Sequence, residues 1–459
     1  MERRRFLAGA GALVASAAAV PVPSWASRAD QALEQYIARA PRAGSLRVLV
    51  PFGGEANVSR VAQRFTELSG VQVELIISDL EDINTRLVED TMVQAQEYDV
   101  ALPATFGLPD LVAAGAIQPM DPFHDRYPDS YVPADHLYPF GDHFNDKLYG
   151  FQTDGDVYLL FLRKDLGEAA RARGQDAFGD GWAAPASWDQ LDAMMRALHA
   201  PSEGVYGGLL YRAPGYIGWE YISRLSAEGC RLFDADFNPT FLTTDAEKVI
   251  EDMRRSQEVQ HPATMTMSLF ESWELFQKNN VLATVGWGGS QKAFNAPGAP
   301  LRGRLSYASL PKGKGPRSSY FNWGWSYVIA KSALSPELAY LFCALGVSAE
   351  TSTRAVQVRD GYFDPFMPQH YEDPMIRDVY SDEFLKVHRA AMETAGPDLY
   401  IPGVGSYMAA LNEGVFHMIN GDVTVAEGLR GLQSEWNATT FEFGRAQQRR
   451  FYESVGVDL

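Results

Sequence analysis

Asn145 to Leu166 reads NDKLYGFQTDGDVYLLFLRKDL, and the fold turns on how that stretch is divided. Asn145-Asp146-Lys147 is polar and tight, the composition of a turn between two extended runs. Leu148-Tyr149-Gly150-Phe151 reads as a short strand. Gln152-Thr153-Asp154-Gly155-Asp156 is polar, small and flexible, and Val157 to Leu162 is an apolar, aromatic run of strand character. One sheet ending, a flexible passage and a second sheet beginning is the order of a hinge between two domains. Asp154 and Asp156 would then be exposed to the cleft. An ordinary loop with solvated acids would carry the same residues.

The passage resembles the NGKLYGxPxDGDVxLLYYRKDL segment of the family 1 extracellular solute-binding proteins, the periplasmic receptors of carbohydrate ABC importers. In that family the segment carries the chain from the N-lobe to the C-lobe. The resemblance implies an α/β periplasmic binding protein fold of two lobes joined by a hinge (type II, like the maltose-binding proteins). It also implies a carbohydrate ligand between the lobes and membrane permease subunits as partners.

Composition fits that size of molecule. The chain of 459 residues allows two domains of ordinary length, and 46% hydrophobic with 21% charged residues is globular. A net charge of −18 repels phosphate backbones and argues against nucleic acid as a partner. Met1 to Ala26 reads as an export signal. Glu2-Arg3-Arg4-Arg5-Phe6-Leu7 resembles a twin-arginine signal with Arg3 and Arg4 as the pair, although Glu2 and Ala8 depart from the usual pattern. Ala8 to Val20 is too short to span a bilayer, and Ser24-Trp25-Ala26 suits cleavage before Ser27. Losing three Arg and one Glu would take the charge from −18 to −20. The mature protein is expected to be soluble, periplasmic and monomeric. Cys230 and Cys343 are the only cysteines, and both are expected to remain free thiols.

From Leu46 to Leu102 the chain alternates strand and helix. Leu46–Val50, Val71–Ile77 and Tyr98–Leu102 read as strands; Asn57 and Asp79 read as caps of the two intervening helices. This is the pattern of a parallel sheet wrapped by helices, in which ligands sit beyond the C-terminal strand ends. That rule picks out Glu55, Asp79 and Thr105. Further on, Ser187 with Gln190 and Thr244 with Glu247 read as capping boxes, and Ser335 as a cap before Pro336. Tyr206–Tyr211 reads as a strand followed by a loop rich in aromatics, Tyr211, Tyr216, Trp219 and Tyr221. Val281–Val285 is a strand ending in Gly286-Trp287-Gly288-Gly289-Ser290. The glycines would let a ligand approach the backbone and would leave the Trp287 indole with few neighbours. Tyr320 to Ala330 reads as a strand with Trp323 and Trp325 on one side.

Other segments extend the resemblance: Ser187-Trp188-Asp189-Gln190-Leu191 to the family's TWdEL, and Gly361-Tyr362-Phe363-Asp364-Pro365 to a GYDP loop of sugar-binding members. Asn420 to Leu429 is similar to its C-terminal G..tveeaL. Together they cover nearly the whole mature chain. The lobes implied are 44–153 with 326–380, and 154–325 with 381–459. The ligand-binding residues expected are Glu55, Asp79, Thr105, Asp154, Tyr211, Trp219, Trp287, Gly288, Trp323, Trp325 and Tyr362. Sugars suit such a set because aromatic faces meet their C–H patches while fixed polar groups meet their hydroxyls.

Enzyme and metal signatures are missing. There is no HExxH, CxxC, GxSxG or phosphate loop, and the eight His have no metal-binding spacing. No cofactor is expected. Asp154 and Asp156 could serve a retaining sugar hydrolase, which needs two carboxyls about 5 Å apart. An exported hydrolase and a same-fold receptor for a non-sugar solute therefore stand as alternatives.

Overall fold

The computed structural model describes residues 28–41, 44–138, 140–172, 184–315, 324–396 and 399–454. The expected export segment, 1–26, lies outside them, as does Trp323. The strands are β1 (Leu46–Pro51), β2 (Val73–Ser78), β3 (Val100–Ala101), β4 (His143–Phe144), β5 (Lys147–Leu148), β6 (Gly150–Gln152), β7 (Leu159–Arg163), β8 (Val205–Leu209), β9 (Asn280–Gly286), β10 (Leu305–Ser309) and β11 (Ser326–Ile329). They build two main sheets. The first has the order β2-β1-β3-β11-β6 and the second β10-β7-β9-β8; β4 and β5 form a separate hairpin.

In the first sheet β1 pairs in parallel with β2, Leu46 opposite Val73 through Pro51 opposite Ser78, and with β3 on its other side. Such strands are covered on both faces, which is why β1 is nearly all apolar. The helices Glu55–Ser69, Pro336–Gly346 and Ala349–Val356 pack together in this lobe, with Phe65 edge-on to Phe342 at 5.4 Å. In the second sheet β7 is central, antiparallel to both β10 and β9, while β8 runs parallel to β9. The helices Val404–Asn420 and Val425–Glu442 pack with Ile217–Ala227 and Thr244–Gln257 around the fully buried Trp436, whose indole donates to the Tyr407 carbonyl at 2.9 Å. The fold is the two-lobed periplasmic binding protein fold.

The chain crosses between the sheets three times: from β6 to β7, from β10 to β11, and from the helix Ala349–Val356 to the helix Pro374–Tyr380. That last helix, expected to end the first lobe, packs instead on the second-lobe helices Gly288–Phe294 and Asp382–Met392. Several caps also differ from expectation. Asn57 lies inside its helix, fully buried; its side-chain amide donates to the Ala355 carbonyl at 2.7 Å and its oxygen accepts from Phe363 N–H at 3.3 Å. Thr243, not Thr244, caps the helix Thr244–Gln257, accepting from Ala246 N–H at 3.2 Å. Ser187 caps as expected, accepting from Gln190 N–H at 3.2 Å, but the Gln190 side chain takes the N–H of Ala186. Cys230 and Cys343 are free thiols in different lobes. Among the described residues no helix is long and apolar enough to cross a membrane.

Candidate functional site

Both sheets aim the C-terminal ends of their parallel strands at one cleft. On the first-lobe side, β1 ends in Phe52-Gly53-Gly54-Glu55. Gly53 has φ +91, and a Cβ there would sit 2.0 Å from the Tyr362 ring, so both the turn and the overlying ring require glycine. The half-exposed Glu55 carboxylate accepts from Gly53 N–H at 2.6 Å. After β2, Asp79 is exposed and makes no capping bond to the short helix that follows it. Thr105, after β3, is different. It is buried, and its hydroxyl donates to the Gly324 carbonyl at 2.6 Å and meets Ser326 Oγ at 3.0 Å, so it fastens the chain entering β11. Trp325, also buried, bridges to Ala104 in the same fastening.

The second-lobe side is aromatic. Trp287 follows β9 and is 6% exposed, not sparsely packed as its glycine neighbours suggested. Tyr158, Tyr211 and Trp273 surround it at ring-centroid distances of 5.7, 5.9 and 5.6 Å. The flanking glycines instead admit Trp273 and the Asp364 carboxylate, since a Cβ on Gly288 would lie 2.2 Å from Asp364 Oδ1. From Trp273 the rings continue to Tyr362 at 5.3 Å and Phe270 at 5.2 Å. Tyr362 is half-buried, which leaves part of its ring to the cleft.

A buried ionic network holds the loop after β8. Arg212, fully buried, donates to both carboxylate oxygens of Glu220 at 2.7 and 2.5 Å, to Ser256 Oγ at 2.6 Å and to the Met253 carbonyl at 2.9 Å. Arg224 also donates to Glu220, at 2.8 Å, and to Asp192 at 2.8 and 2.9 Å, and it stacks on Trp188. Burial opposes the Glu220 charge, but the two guanidiniums outweigh it and hold the carboxyl below its usual range. Tyr211 and Trp219, at either end of this loop, share the wall of a small cavity.

Among the described residues the lobes meet at several places: Asp110 accepts from Gly405 N–H at 3.0 Å, and three further contacts cross the cleft. Tyr216 hydroxyl donates to Glu81 Oε1 at 3.1 Å, Phe106 stands edge-on to Trp219 at 6.2 Å, and Phe52 to Phe270 at 6.3 Å. Between the first two lies a cavity of about 860 Å³, whose lining includes Glu81, Asn84, Asp110, Phe106, Tyr216 and Trp219. Among the described residues, no Lys, Arg or His lines it.

Asp154 and Asp156 are not exposed to the cleft. They are 0% and 7% exposed, and they meet Asp364 of the third crossing, one oxygen of each lying within 4.8 Å of the others. Burial first, then mutual repulsion, pushes both Asp154 and Asp156 well above the usual carboxyl range. Of the residues expected at the site, the structure therefore brings Tyr211, Trp219, Trp287 and Tyr362 into one aromatic wall and leaves Glu55 and Asp79 on the opposite rim. Thr105 and Trp325 are placed as fasteners, and Gly288 beside the buried acids. Phe52, Glu81, Phe106, Phe270 and Trp273 complete the cleft without having been singled out. Phe270 and Trp273 sit on a helix, where apolar spacing reads as core, and Glu81 has its partner 135 residues away.

A family model described as bacterial extracellular solute-binding protein matches residues 53–351. A probable amino-acid ABC transporter periplasmic-binding protein of Sinorhizobium fredii is 27% identical over 365 residues, 75% of this chain and 77% of that protein. Among solved structures, a solute-binding protein of Agrobacterium radiobacter in complex with ribitol superposes with a TM-score of 0.75 at 18% identity, covering 86% of this chain and 98% of the other. Maltose-bound MalE3 of T. maritima gives 0.74 at 16% identity, covering 86% and 99%. An Agrobacterium vitis solute-binding protein with bound D-mannitol gives 0.71 at 18% identity, covering 88% and 99%. These likenesses establish the shared fold, and the family match establishes the membership: the chain belongs to the bacterial extracellular solute-binding proteins.

Proposed function

We propose that this chain is the periplasmic receptor of an ABC importer for a neutral, polyhydroxylated solute, a sugar or a polyol, which it binds between its lobes and delivers to the membrane permease. The observation that carries the reading is the make-up of the cleft. Tyr362, Trp273, Trp287, Tyr211 and Trp219 form one wall, Glu55, Asp79 and Glu81 stand opposite, and among the described residues no basic side chain lines the cavity between the lobes. Aromatic faces take the apolar side of a sugar ring, and carboxylates accept from its hydroxyls. The chain leaves the cytoplasm through the segment 1–26 and works as a monomer. The first lobe spans 44–153 with the part from 326 through the helix Ala349–Val356, and the helix Arg28–Arg39 packs on it; the second spans 154–325 with the part from the helix Pro374–Tyr380 onward.

The Sinorhizobium relative favours a second reading, a receptor for an amino acid. An amino acid brings an α-carboxylate that needs a cationic or N–H partner when desolvated. Among the described residues the lining of the cavity supplies three carboxylates, Glu81, Glu89 and Asp110, and no cation, which weighs against it. A thermal-shift screen against sugars, polyols and amino acids separates the readings, because a ligand at 100 times its Kd adds ~2.7 kcal/mol to stability. Shifts confined to sugars or polyols are expected; a shift from amino acids alone would reverse the assignment. Unchanged oligosaccharide after incubation separates a receptor from a hydrolase.

A further inference from the structure

Three buried carboxylates at the hinge lack sufficient counter-charge. Asp154 and Asp156 lie on the crossing from β6 to β7 and Asp364 on the third crossing. Part of each group is used. Asp154 Oδ1 accepts from Asp364 N–H at 2.5 Å, and Asp364 accepts from Tyr380 hydroxyl at 2.8 Å and from Gly289 N–H at 3.2 Å. Asp154 Oδ2 and Asp156 Oδ1 are buried with no hydrogen-bond partner. Gln152, which is 1% exposed and donates to the Asp154 carbonyl at 3.0 Å, likewise has an unpartnered carboxamide oxygen. Buried oxygens without donors are rare and require an explanation.

The nearest cation does not fill the gap. An ammonium has three N–H donors. Lys292 donates to the carbonyls of Val358, Gly361 and Phe363 at 2.9, 2.7 and 2.9 Å, so its donors bind the backbone of the third crossing. Three carboxylates against that one ammonium leave a formal charge of −2. All the donor atoms are oxygens, the preference of hard cations. Two oxygens facing each other across Ca²⁺, at ~2.3–2.6 Å each, stand up to about 5 Å apart, whereas Mg²⁺ would need a tighter set. Separations within 4.8 Å admit an ion of that reach, and a set made of carboxylates alone suits Ca²⁺ better than Mg²⁺, which keeps several of its waters.

We propose that Asp154, Asp156 and Asp364 bind one hard divalent cation, Ca²⁺ by preference, which ties the first interlobe crossing to the third. The ion is bound whichever solute enters the cleft. The test uses the purified full chain treated with EGTA, with bound metal counted by mass spectrometry and melting followed as CaCl₂ or MgCl₂ is added. One Ca²⁺ per chain and a saturable rise in melting temperature, reversed by EGTA and weaker with Mg²⁺, are expected. Asp156→Asn keeps the side-chain shape and removes one crowded charge. It should melt no lower than the wild type in EGTA and lose the Ca²⁺-dependent rise. Tb³⁺ should give luminescence excited through nearby Tyr380 and Trp287, displaced by Ca²⁺ and absent in Asp156→Asn; Asp154→Asn serves in its place if that variant folds poorly. No bound metal with a melt indifferent to Ca²⁺ and EGTA would overturn the site and leave protons as the balance. A Ca²⁺-dependent rise that survives in both Asn variants would also overturn it, placing the ion elsewhere on the acidic surface.

Discussion

The two rims of the cleft are built in opposite ways. The first-lobe rim carries Asp79 and Glu81 on exposed loop and short-helix positions; Asp79 makes no capping bond, and Glu81 is held by the Tyr216 hydroxyl of the other lobe. The second-lobe rim packs ring on ring, and the Arg212–Glu220–Arg224–Asp192 network fixes the loop that presents it. One lobe therefore offers a preformed platform and the other adjustable acceptors. A platform lowers the ordering cost of binding, and loose acceptors supply choice among hydroxyl patterns.

Trp287→Ala should break the platform. Three aromatic rings lose their common neighbour, and a large buried-to-small change costs ~3–5 kcal/mol. A much lower melting temperature of the ligand-free protein, with binding weakened as well, is expected in calorimetry. Unchanged melting would show that the indole is a free stacking surface and not a packed one.

Tyr362→Ala tests the half-exposed end of the same wall. Affinity should fall by ~1–3 kcal/mol if sugar stacking resembles that of bases on aromatic rings, with a smaller change in melting than for Trp287→Ala. Isothermal titration gives the first quantity and a thermal scan the second; equal affinity in the variant would remove Tyr362 from the site.

The smallest effect belongs to the other rim. Asp79→Asn should leave melting within about 0.5 kcal/mol, as for most exposed positions. It should reduce affinity by ~0.5–1.5 kcal/mol, the net worth of one hydrogen bond. A large stability loss would mean that Asp79 is structural and that the contrast between the rims is wrong.

Much of this contrast was legible in the residues. The strand–flexible–strand order of Asn145 to Leu166 placed β6, the first crossing and β7, and alternating strand and helix placed β1 to β3. The aromatic loop after β8 drew attention to Tyr211 and Trp219, and the end of β9 to Trp287, residues that lie close together in the folded chain. Two kinds of information escaped that reading. β10, Leu305–Ser309, has no continuous apolar run, so its pairing with β7 had no local signal. Asp154 and Asp156 look solvated by type and neighbourhood, and only Asp364, 210 residues from Asp154, turns them into a buried group. Asn57 shows the same limit: a residue favoured as a cap is drawn into the helix interior by Ala355 and Phe363, about 300 positions downstream.

The central claim is that solute binds between two lobes and holds them together. Small-angle X-ray scattering tests it most directly, using the sugar or polyol that gives the largest thermal shift. The radius of gyration should decrease at saturating ligand, because closure brings the two sheets together about the three crossings. A Tyr216→Phe variant, which loses its bond to Glu81 across the cleft, should need more ligand for the same decrease. An identical scattering profile with and without saturating ligand would contradict the account.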